Sequence, residues 1–187
     1  KKRSNHLKGE SFMTIDQEEE FIPINISVLT ISDTRTLEDD KSGDLLCERI
    51  QSSGHKLYKR DIIEDDKGKI KKTIKDWSSD DHSNVIITTG GTGLTGRDIT
   101  PEALEEIFEK KIDGFSTIFH LISYEKIGTS TLLSRTTAGI LNSTYIFALP
   151  GSPNAVKDGW DNILKFQLDK RFKPCNFVEI IPRLDEK

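Results

Sequence analysis

The segment formed by residues 85–102 constrains the fold most strongly, because it joins a strand to a helix through a glycine-rich turn. Residues 85–88 are all β-branched, which is typical of a short buried strand. Four glycines follow at positions 90, 91, 93 and 96, and Pro101 then favours the first turn of a helix. This order predicts an α/β unit whose turn can approach an anion closely with its backbone N–H groups.

The remaining chain alternates between strand-like and helix-like segments in the same way. Apolar spacing predicts strands at residues 24–31, 56–63, 85–88 and 144–149, and helices at 42–53, 68–77, 115–122 and from Thr100 and Pro153. The order β-α-β-α-β-α-α-β-α predicts a three-layer α/β/α sandwich around a mostly parallel sheet. We expect Thr100 to cap its helix, with Leu104, Ile107 and Phe108 within that helix.

Domain organisation and compartment follow from composition. Residues 21–183 are expected to form a single domain after a disordered, highly charged tail of residues 1–20. Met13 is the only methionine, and as a natural start it would make residues 1–12 an added or dispensable extension.

The net charge of −4 argues against a nucleic-acid platform. A membrane helix would need an apolar run of ~20 residues, which the chain lacks. Without a signal peptide or patterned cysteines, a cytoplasmic location is expected.

Polar residues follow each predicted strand, and the carboxyl ends of parallel strands meet at one edge of a sheet. The residues expected at this edge are Ser32, Asp33, Thr34, Arg35, Glu64, Asp65, Asp66, Gly90, Gly91, Thr92, Gly93, Asp98, Pro150, Gly151, Ser152 and Pro153. Carboxylates beside a phosphate site repel the ligand unless a cation lies between them, and Mg²⁺ prefers oxygen ligands. The pattern therefore predicts a Mg²⁺-dependent enzyme of nucleotides or phosphate esters. Asp33 and Asp66 fit turn or capping roles equally well, whereas Asp65 and Asp98 flank predicted ligand loops.

Two familiar phosphate-binding motifs do not fit the glycine run. The spacing of residues 91–96 matches a dinucleotide-binding turn, but the helix starts at Pro101, about five residues later than that motif requires. A Walker A loop needs lysine and a hydroxyl residue after its last glycine, whereas Arg97 and Asp98 follow Gly96.

The apolar stripe that includes Phe115 and Ile118 is expected in the core, with a subunit interface as the alternative.

Four segments together carry a family resemblance. They are Ile31-Ser32-Asp33-Thr34, Thr89-Gly90-Gly91-Thr92-Gly93, Arg97-Asp98-Ile99-Thr100-Pro101-Glu102-Ala103 and Leu149-Pro150-Gly151-Ser152-Pro153. The chain resembles the molybdopterin-binding domain of molybdenum cofactor biosynthesis, over residues 13–183. Segments 20–23, 38–40, 119–132 and 174–177 are similar to the stand-alone bacterial MoaB type of this family.

The resemblance implies a molybdopterin adenylyltransferase, which transfers AMP from Mg·ATP to the terminal phosphate of molybdopterin and releases pyrophosphate. It places the two metal-associated and catalytic acids at Asp65 and Asp98. It places the substrate contacts at Ser32, residues 90–93, Thr136 and residues 150–153, and we include Asp33 among them. It also implies a homotrimer or homohexamer, and a separate molybdenum insertase that receives the adenylylated pterin.

Two other functions fit the same residues. A molybdopterin-binding or carrier oligomer with little catalysis would need the same glycine run. A nucleotide pyrophosphatase is the third hypothesis, because competence-type proteins share a related domain, although those chains usually carry a further domain.

Overall fold

The centre of the computed structural model, which describes residues 14–186, is a six-stranded sheet between two layers of helices. The strands along the chain are β1 Thr14–Ile15, β2 Asn25–Ile31, β3 Lys56–Ile63, β4 Val85–Thr89, β5 Lys110–Lys111, β6 Thr137–Leu141, β7 Thr144–Leu149 and β8 Phe172–Lys173. The central sheet has the order β3-β2-β4-β7-β6-β5, and β1 pairs with β8 in a separate antiparallel sheet.

Strands β3, β2, β4 and β7 run parallel to one another, which confirms the predicted mostly parallel sheet. Beyond β7, the strands β6 and β5 continue the sheet in antiparallel orientation. Neither was predicted. Ala138 and Gly139 in the middle of β6 have low strand propensity, and β5 consists of two lysines with no apolar pattern.

Helices connect the strands at nearly the predicted positions. They are α1 Lys41–Ser52, α2 Lys67–Ser78, α3 Thr100–Glu105, α4 Asp113–Ile127, α5 Pro153–Gly159, α6 Lys165–Gln167 and α7 Phe177–Ile180. A π-helical stretch at Trp160–Leu164 joins α5 to α6, and 3-10 turns occupy Gly128–Leu133 and Ile181–Arg183. Asp66 caps α2 by accepting a hydrogen bond from the N–H of Lys69, so the capping interpretation of Asp66 is correct.

The apolar core has two parts, one on each face of the sheet. Successive side chains of a strand point to opposite faces: in β4, Val85 and Ile87 belong to the cluster that contains Phe119 of α4. Ile86 belongs to the other cluster, together with Ile74 of α2. The first cluster also includes side chains of α1 and α5, and the second includes those of α3. Helices therefore cover both faces, which confirms the three-layer α/β/α sandwich.

Helix α3 is shorter than predicted. It begins at Thr100 and ends at Glu105, so Ile107 and Phe108 lie beyond it. The predicted cap at Thr100 is wrong, because Ile99 occupies the capping position and makes no side-chain cap bond. The hydroxyl of Thr100 donates instead to the carbonyl oxygen of Gly90, over 3.0 Å. Thr100 therefore ties the start of the helix to the glycine run.

The amino-terminal part of the described chain differs from the expected tail. Thr14–Ile15 pairs with Phe172–Lys173, and Glu19 forms an ion pair with Lys170 at 3.2 Å. The predicted tail of residues 1–20 therefore extends too far, while residues 1–13, with the suggested start at Met13, lie outside the described residues. Within residues 14–186, no helix has the length and apolar character needed to cross a membrane.

A two-residue turn at Asn142 and Ser143 connects the antiparallel strands β6 and β7. Both residues have positive φ, 49° for Asn142 and 59° for Ser143. This is the geometry of the hairpin turn that favours the pair Asn-Gly. Asn142 suits its position, whereas serine at 143 is strained in a left-handed conformation.

We predict that Ser143→Gly stabilises the protein by about 0.5 kcal/mol, because relief of the left-handed strain outweighs the added freedom of the unfolded chain. Urea unfolding measures this change. Ser143→Val should act in the opposite direction, since a β-branched residue tolerates positive φ poorly. A lower stability of Ser143→Gly than of the wild type would contradict the strain argument.

Candidate active site

A cleft of about 440 Å³ lies at the carboxyl ends of β2, β3, β4 and β7. It is lined by Ile31, Ser32, Thr34, Arg35, Asp65, Gly90, Gly91, Thr92, Gly93, Arg97, Asp98, Leu133, Ser134, Pro150, Gly151 and Ser152. Of the residues predicted at this edge or as ligand contacts, Asp33, Glu64, Asp66, Thr136 and Pro153 lie outside this lining, and all the others belong to it. The sheet edge therefore brings the predicted loops together, as parallel strand ends require.

The floor of the cleft is the glycine loop, which we define as residues 90–98. Gly90 and Gly91 have φ values of 106° and 61°, a region that other residues rarely adopt. A Cβ atom on Gly90 would collide with the carbonyl oxygen of Ile31. The N–H groups of Gly91 and Thr92 donate to no acceptor among the described residues. Free backbone N–H groups beside a cleft form a cradle suited to an anion.

The carboxylate of Asp65 faces the cleft without a protein partner. The residue is only 9% exposed, and no described side chain or N–H group donates to its carboxylate; only its own N–H bonds, to Asp33. Burial raises the pKa of Asp65 above its usual range, and the neighbouring charges of Asp33 and Asp98 add to the effect. A buried carboxylate in a cleft with a perturbed pKa is typical of a functional group.

Asp98 has the opposite environment. The hydroxyl and the N–H of Thr95 donate to its Oδ2 over 2.6 and 2.9 Å. Partial burial would raise the pKa of Asp98, but these bonds and the N–H of Gly93 outweigh it and lower the pKa. A Cβ atom on Gly93 would lie 2.7 Å from Oδ2, so glycine at this position makes room for the carboxylate.

Asp33 lies behind the lining of the cleft and connects two residues of that lining, Asp65 and Arg97. Its carboxylate accepts two hydrogen bonds from Arg97, at 2.9 and 2.7 Å, and one from the N–H of Asp65 at 3.0 Å. The bond from Arg97 lowers the pKa of Asp33 below its usual range. Its oxygens are already used within the protein, which agrees with the alternative interpretation of Asp33 as a turn residue.

The second glycine-bearing turn, at residues 150–153, is bonded to the end of β4, directly before the glycine loop, and to α1. The hydroxyl of Thr89 donates to the carbonyl oxygen of Pro150 over 2.9 Å, and Gly90 donates to Leu149 over 3.1 Å. The carbonyl oxygen of Gly151 accepts from Ser42 at 2.7 Å. The two turns therefore form one continuous rim.

Two serine hydroxyls of the lining stabilise local turns. Ser32 accepts hydrogen bonds from the N–H groups of Thr34 and Arg35, at 3.3 and 3.2 Å. Ser152 accepts from the N–H of Ala155 at 3.2 Å and caps α5. Each hydroxyl keeps its own proton to donate to a ligand.

Thr136 and Pro153 lie outside the lining. Thr136 is buried, and its hydroxyl donates to Ser116 over 3.2 Å. Pro153 is the first residue of α5, where its ring suits the helix start. In this structure neither side chain reaches the cleft, so their assignment as substrate contacts stays a prediction.

Two arginines also belong to the site: Arg35, which the sequence placed at the sheet edge without a role, and Arg135, which the sequence did not indicate. Arg35 lines the cleft and donates to the carbonyl oxygen of Gly151 over 2.9 Å. Arg135 donates to the carbonyl oxygens of Gly93 and Asp98, over 2.8 and 2.7 Å. The position of Arg35 directly after the first strand is what placed it at this edge. Arg135 lies in a polar stretch with no local signal.

The donor set suits a hydrated hard cation better than a transition metal. Asp65 and Asp98 both line the cleft, while residues 14–186 contain no group of three or more His, Cys, Asp or Glu that could enclose a metal. Mg²⁺ commonly binds through one or two carboxylates and takes its remaining ligands from water and substrate phosphates. The residues present therefore fit Mg²⁺ bound together with a phosphorylated ligand.

Known proteins resemble this chain over most of its length. Residues 27–170 match the family model described as "Probable molybdopterin binding domain". The chain is 45% identical to molybdenum cofactor biosynthesis protein B of Escherichia coli (strain K12), over 84% of this chain and 93% of the relative.

Solved structures agree with the sequence matches. A crystal structure of molybdenum cofactor biosynthesis protein B has a TM-score of 0.78 and 38% identity, over 80% of this chain and 94% of the other. The tungsten cofactor synthesizing protein MoaB from Pyrococcus furiosus has a TM-score of 0.67 and 36% identity, over 76% and 91%.

We predict that Asp65→Asn raises the melting temperature of the ligand-free protein by about 2–4 °C. The raised pKa means that ionised Asp65 opposes folding, and its cost grows as pH rises from the ordinary value of 3.8 through the folded pKa. Thermal unfolding at pH 7 measures the difference, which should shrink below pH 4.

Asp66→Asn is the matched control, because it removes the same charge at the adjacent position. Asparagine also caps helices as well as aspartate does. It should leave the melting temperature nearly unchanged. Asp98→Asn should lower it, since the lowered pKa of Asp98 marks a carboxylate that stabilises the fold above the unfolded pKa. A destabilised Asp65→Asn would contradict the unpartnered state of this carboxylate.

Proposed function

The chain belongs to the molybdopterin-binding-domain family, and we propose that within molybdenum cofactor biosynthesis it transfers AMP from ATP to molybdopterin. A terminal phosphate oxygen of the pterin would attack the α-phosphorus of ATP, and the bond to pyrophosphate would break. The products are adenylylated molybdopterin and pyrophosphate. The adenylylated pterin would then pass to a separate molybdenum insertase.

The unpartnered carboxylate of Asp65 carries the proposal. A protein that only holds an organic phosphate has no use for a buried negative charge beside it, because the two repel each other. Asp98 lies in the same cleft, so the two carboxylates could share one Mg²⁺ ion. When bound, Mg²⁺ supplies positive charge that offsets the repulsion between the two polyanionic substrates.

The chain's own groups would bind and orient the substrates. The free N–H groups of Gly91 and Thr92 suit the pterin phosphate, and the hydroxyls of Ser32 and Ser152 can donate beside it. The attacking phosphate is already anionic and needs little help from a general base. Catalysis would therefore rest on orientation and charge compensation, with Arg35 adding positive charge at the rim.

We predict that Asp98→Asn lowers the rate of AMP transfer by about 100-fold, because the neutral amide cannot hold the cation in the transition state. Affinity for molybdopterin should change by less than about threefold, since the glycine loop remains. Pyrophosphate release from Mg·ATP in the presence of molybdopterin measures turnover, and fluorescence titration measures binding.

Asp65→Ala serves as a second loss-of-function variant, and Asp66→Asn as the neighbouring control with unchanged turnover. Molybdopterin binding without AMP transfer in the wild type would identify a carrier. Pyrophosphate release from ATP without molybdopterin would identify a nucleotide pyrophosphatase. Equal losses of binding and turnover in Asp98→Asn would contradict the proposed role of this carboxylate.

We also propose that the protein assembles as a homotrimer or homohexamer. Six large apolar side chains on α4 and the following 3-10 turn are 49–71% exposed: Ile118, Leu121, Tyr124, Ile127, Leu132 and Leu133. A patch of large exposed apolar side chains on one helix and the turn after it is typical of a protein–protein contact. Ile118 belongs to this patch, which supports the subunit-interface alternative for that part of the apolar stripe.

We predict that replacing both Leu121 and Leu132 by lysine reduces the particle mass measured by light scattering, because charges cannot be buried in an apolar contact. Leu37→Lys is the control, since Leu37 is 58% exposed but lies outside this patch. A monomeric wild type, or a double variant of unchanged mass, would overturn the proposed interface.

A further inference from the structure

Arg135 binds three backbone carbonyl groups of the glycine loop. Its N–H donates to Thr92 over 2.9 Å, Nε donates to Gly93 over 2.8 Å, and Nη2 donates to Asp98 over 2.7 Å. Its Nη1 forms an ion pair with Glu102 in α3. One residue therefore holds both ends of the segment 93–98 and the helix that follows it.

Few other contacts fix this segment relative to the sheet. The bonds between Thr95 and Asp98 lie inside the loop and maintain only its internal shape. Among the described residues, the other hydrogen bonds from segment 92–98 to the rest of the protein are those of Arg97 to Asp33. Arg97 is 67% exposed, whereas the side chain of Arg135 is 31% exposed. Because exposed ion pairs contribute little, Arg135 is the stronger anchor.

The chemistry of these contacts requires arginine. A guanidinium group presents five N–H donors in one rigid plane, so it can serve Gly93, Asp98 and Glu102 at the same time. The ammonium group of lysine is a single point charge on a flexible stem and cannot reproduce this fork. Lysine at position 135 would keep the positive charge but could not contact Gly93, Asp98 and Glu102 at the same time.

We propose that Arg135 is a positioning residue that sets the place of the Asp98 carboxylate in the cleft. The inference rests on the proposed function of Asp98. Arg135 acts through the backbone carbonyl of Asp98, which leaves the carboxylate free to face the cleft. An anchor of this kind matters because misplacement of a catalytic group by about 1 Å can lower a rate about 100-fold.

Hydrogen–deuterium exchange of the full-length protein tests the anchor without any substrate. In Arg135→Lys, the hydrogen-bonded amides of Thr95, Arg97 and Asp98 should exchange at least about tenfold faster than in the wild type, with the amides of the sheet unchanged. Arg49→Lys is the matched control, because Arg49 pairs with Asp161 at 3.1 Å, away from the lining of the cleft. Unchanged exchange of the loop in Arg135→Lys would overturn the proposal.

Kinetics of AMP transfer test the consequence for Asp98. Arg135→Lys should lower kcat by about 10- to 100-fold, raise the Mg²⁺ concentration needed for half the maximal rate, and leave KM for molybdopterin nearly constant. Glu102→Gln keeps the hydrogen bonds from the Arg135 side chain to the carbonyl oxygens of Gly93 and Asp98. Its kcat and its Mg²⁺ requirement should therefore stay close to those of the wild type.

The outcomes separate the two proposals. Faster loop exchange in Arg135→Lys with no AMP transfer by the wild type would refute the enzymatic function and support the anchor. Wild-type kinetics of Arg135→Lys, or an equal effect of Glu102→Gln, would overturn the positioning role. Equal losses in kcat, molybdopterin binding and melting temperature would reduce Arg135 to a general structural residue and likewise overturn it.

Discussion

The close contact of the glycine loop with the ends of β2 and β7 is the constraint on which the site depends. Gly90 donates to Leu149 over 3.1 Å, and any side chain at Gly90 would collide with the carbonyl oxygen of Ile31. Thr100 closes the contact by donating to Gly90. Because the backbone lies directly on the sheet edge, the residues after β2, β3 and β7 can face the same small cleft. A Cβ atom at Gly91 would already reach within 2.6 Å of Asp65 Oδ1.

The two carboxylates of this cleft have different energetic roles. Thr95 donates twice to Asp98, so ionised Asp98 contributes to the stability of its own loop. Asp65 is more deeply buried, accepts nothing from the described residues, and lies near Asp33 and Asp98, which raises its pKa. A protein that keeps an uncompensated charge in this place loses stability for it. Such a cost is characteristic of functional sites, and it is the physical basis for the proposed cation and phosphate chemistry.

Several elements show where local sequence patterns are sufficient and where they fail. The β-branched strands and the helices with one apolar face were found because each signal lies within a few neighbouring residues. Strands β5 and β6 were missed because pairing with β7, not propensity, makes them strands. Thr100 was assigned as a cap from local preference, but the carbonyl oxygen of Gly90 competes for the same hydroxyl. At the site, Thr136 was expected near the ligand, yet its neighbour Arg135 holds the glycine loop.

The sequence by itself determined the α/β architecture, the sheet edge at which the loops meet, and the positions that require glycine. These properties follow from backbone preference and side-chain periodicity, which act over short stretches of chain. Only the tertiary structure decided which side chains are partnered. The bonds from Arg97 to Asp33 and from Arg135 to Gly93 join residues 64 and 42 positions apart. Whether such groups meet depends on strand order and register. The carboxylate of Asp65 could therefore be recognised as unpartnered only when the positions of all neighbouring hydrogen-bond donors were known.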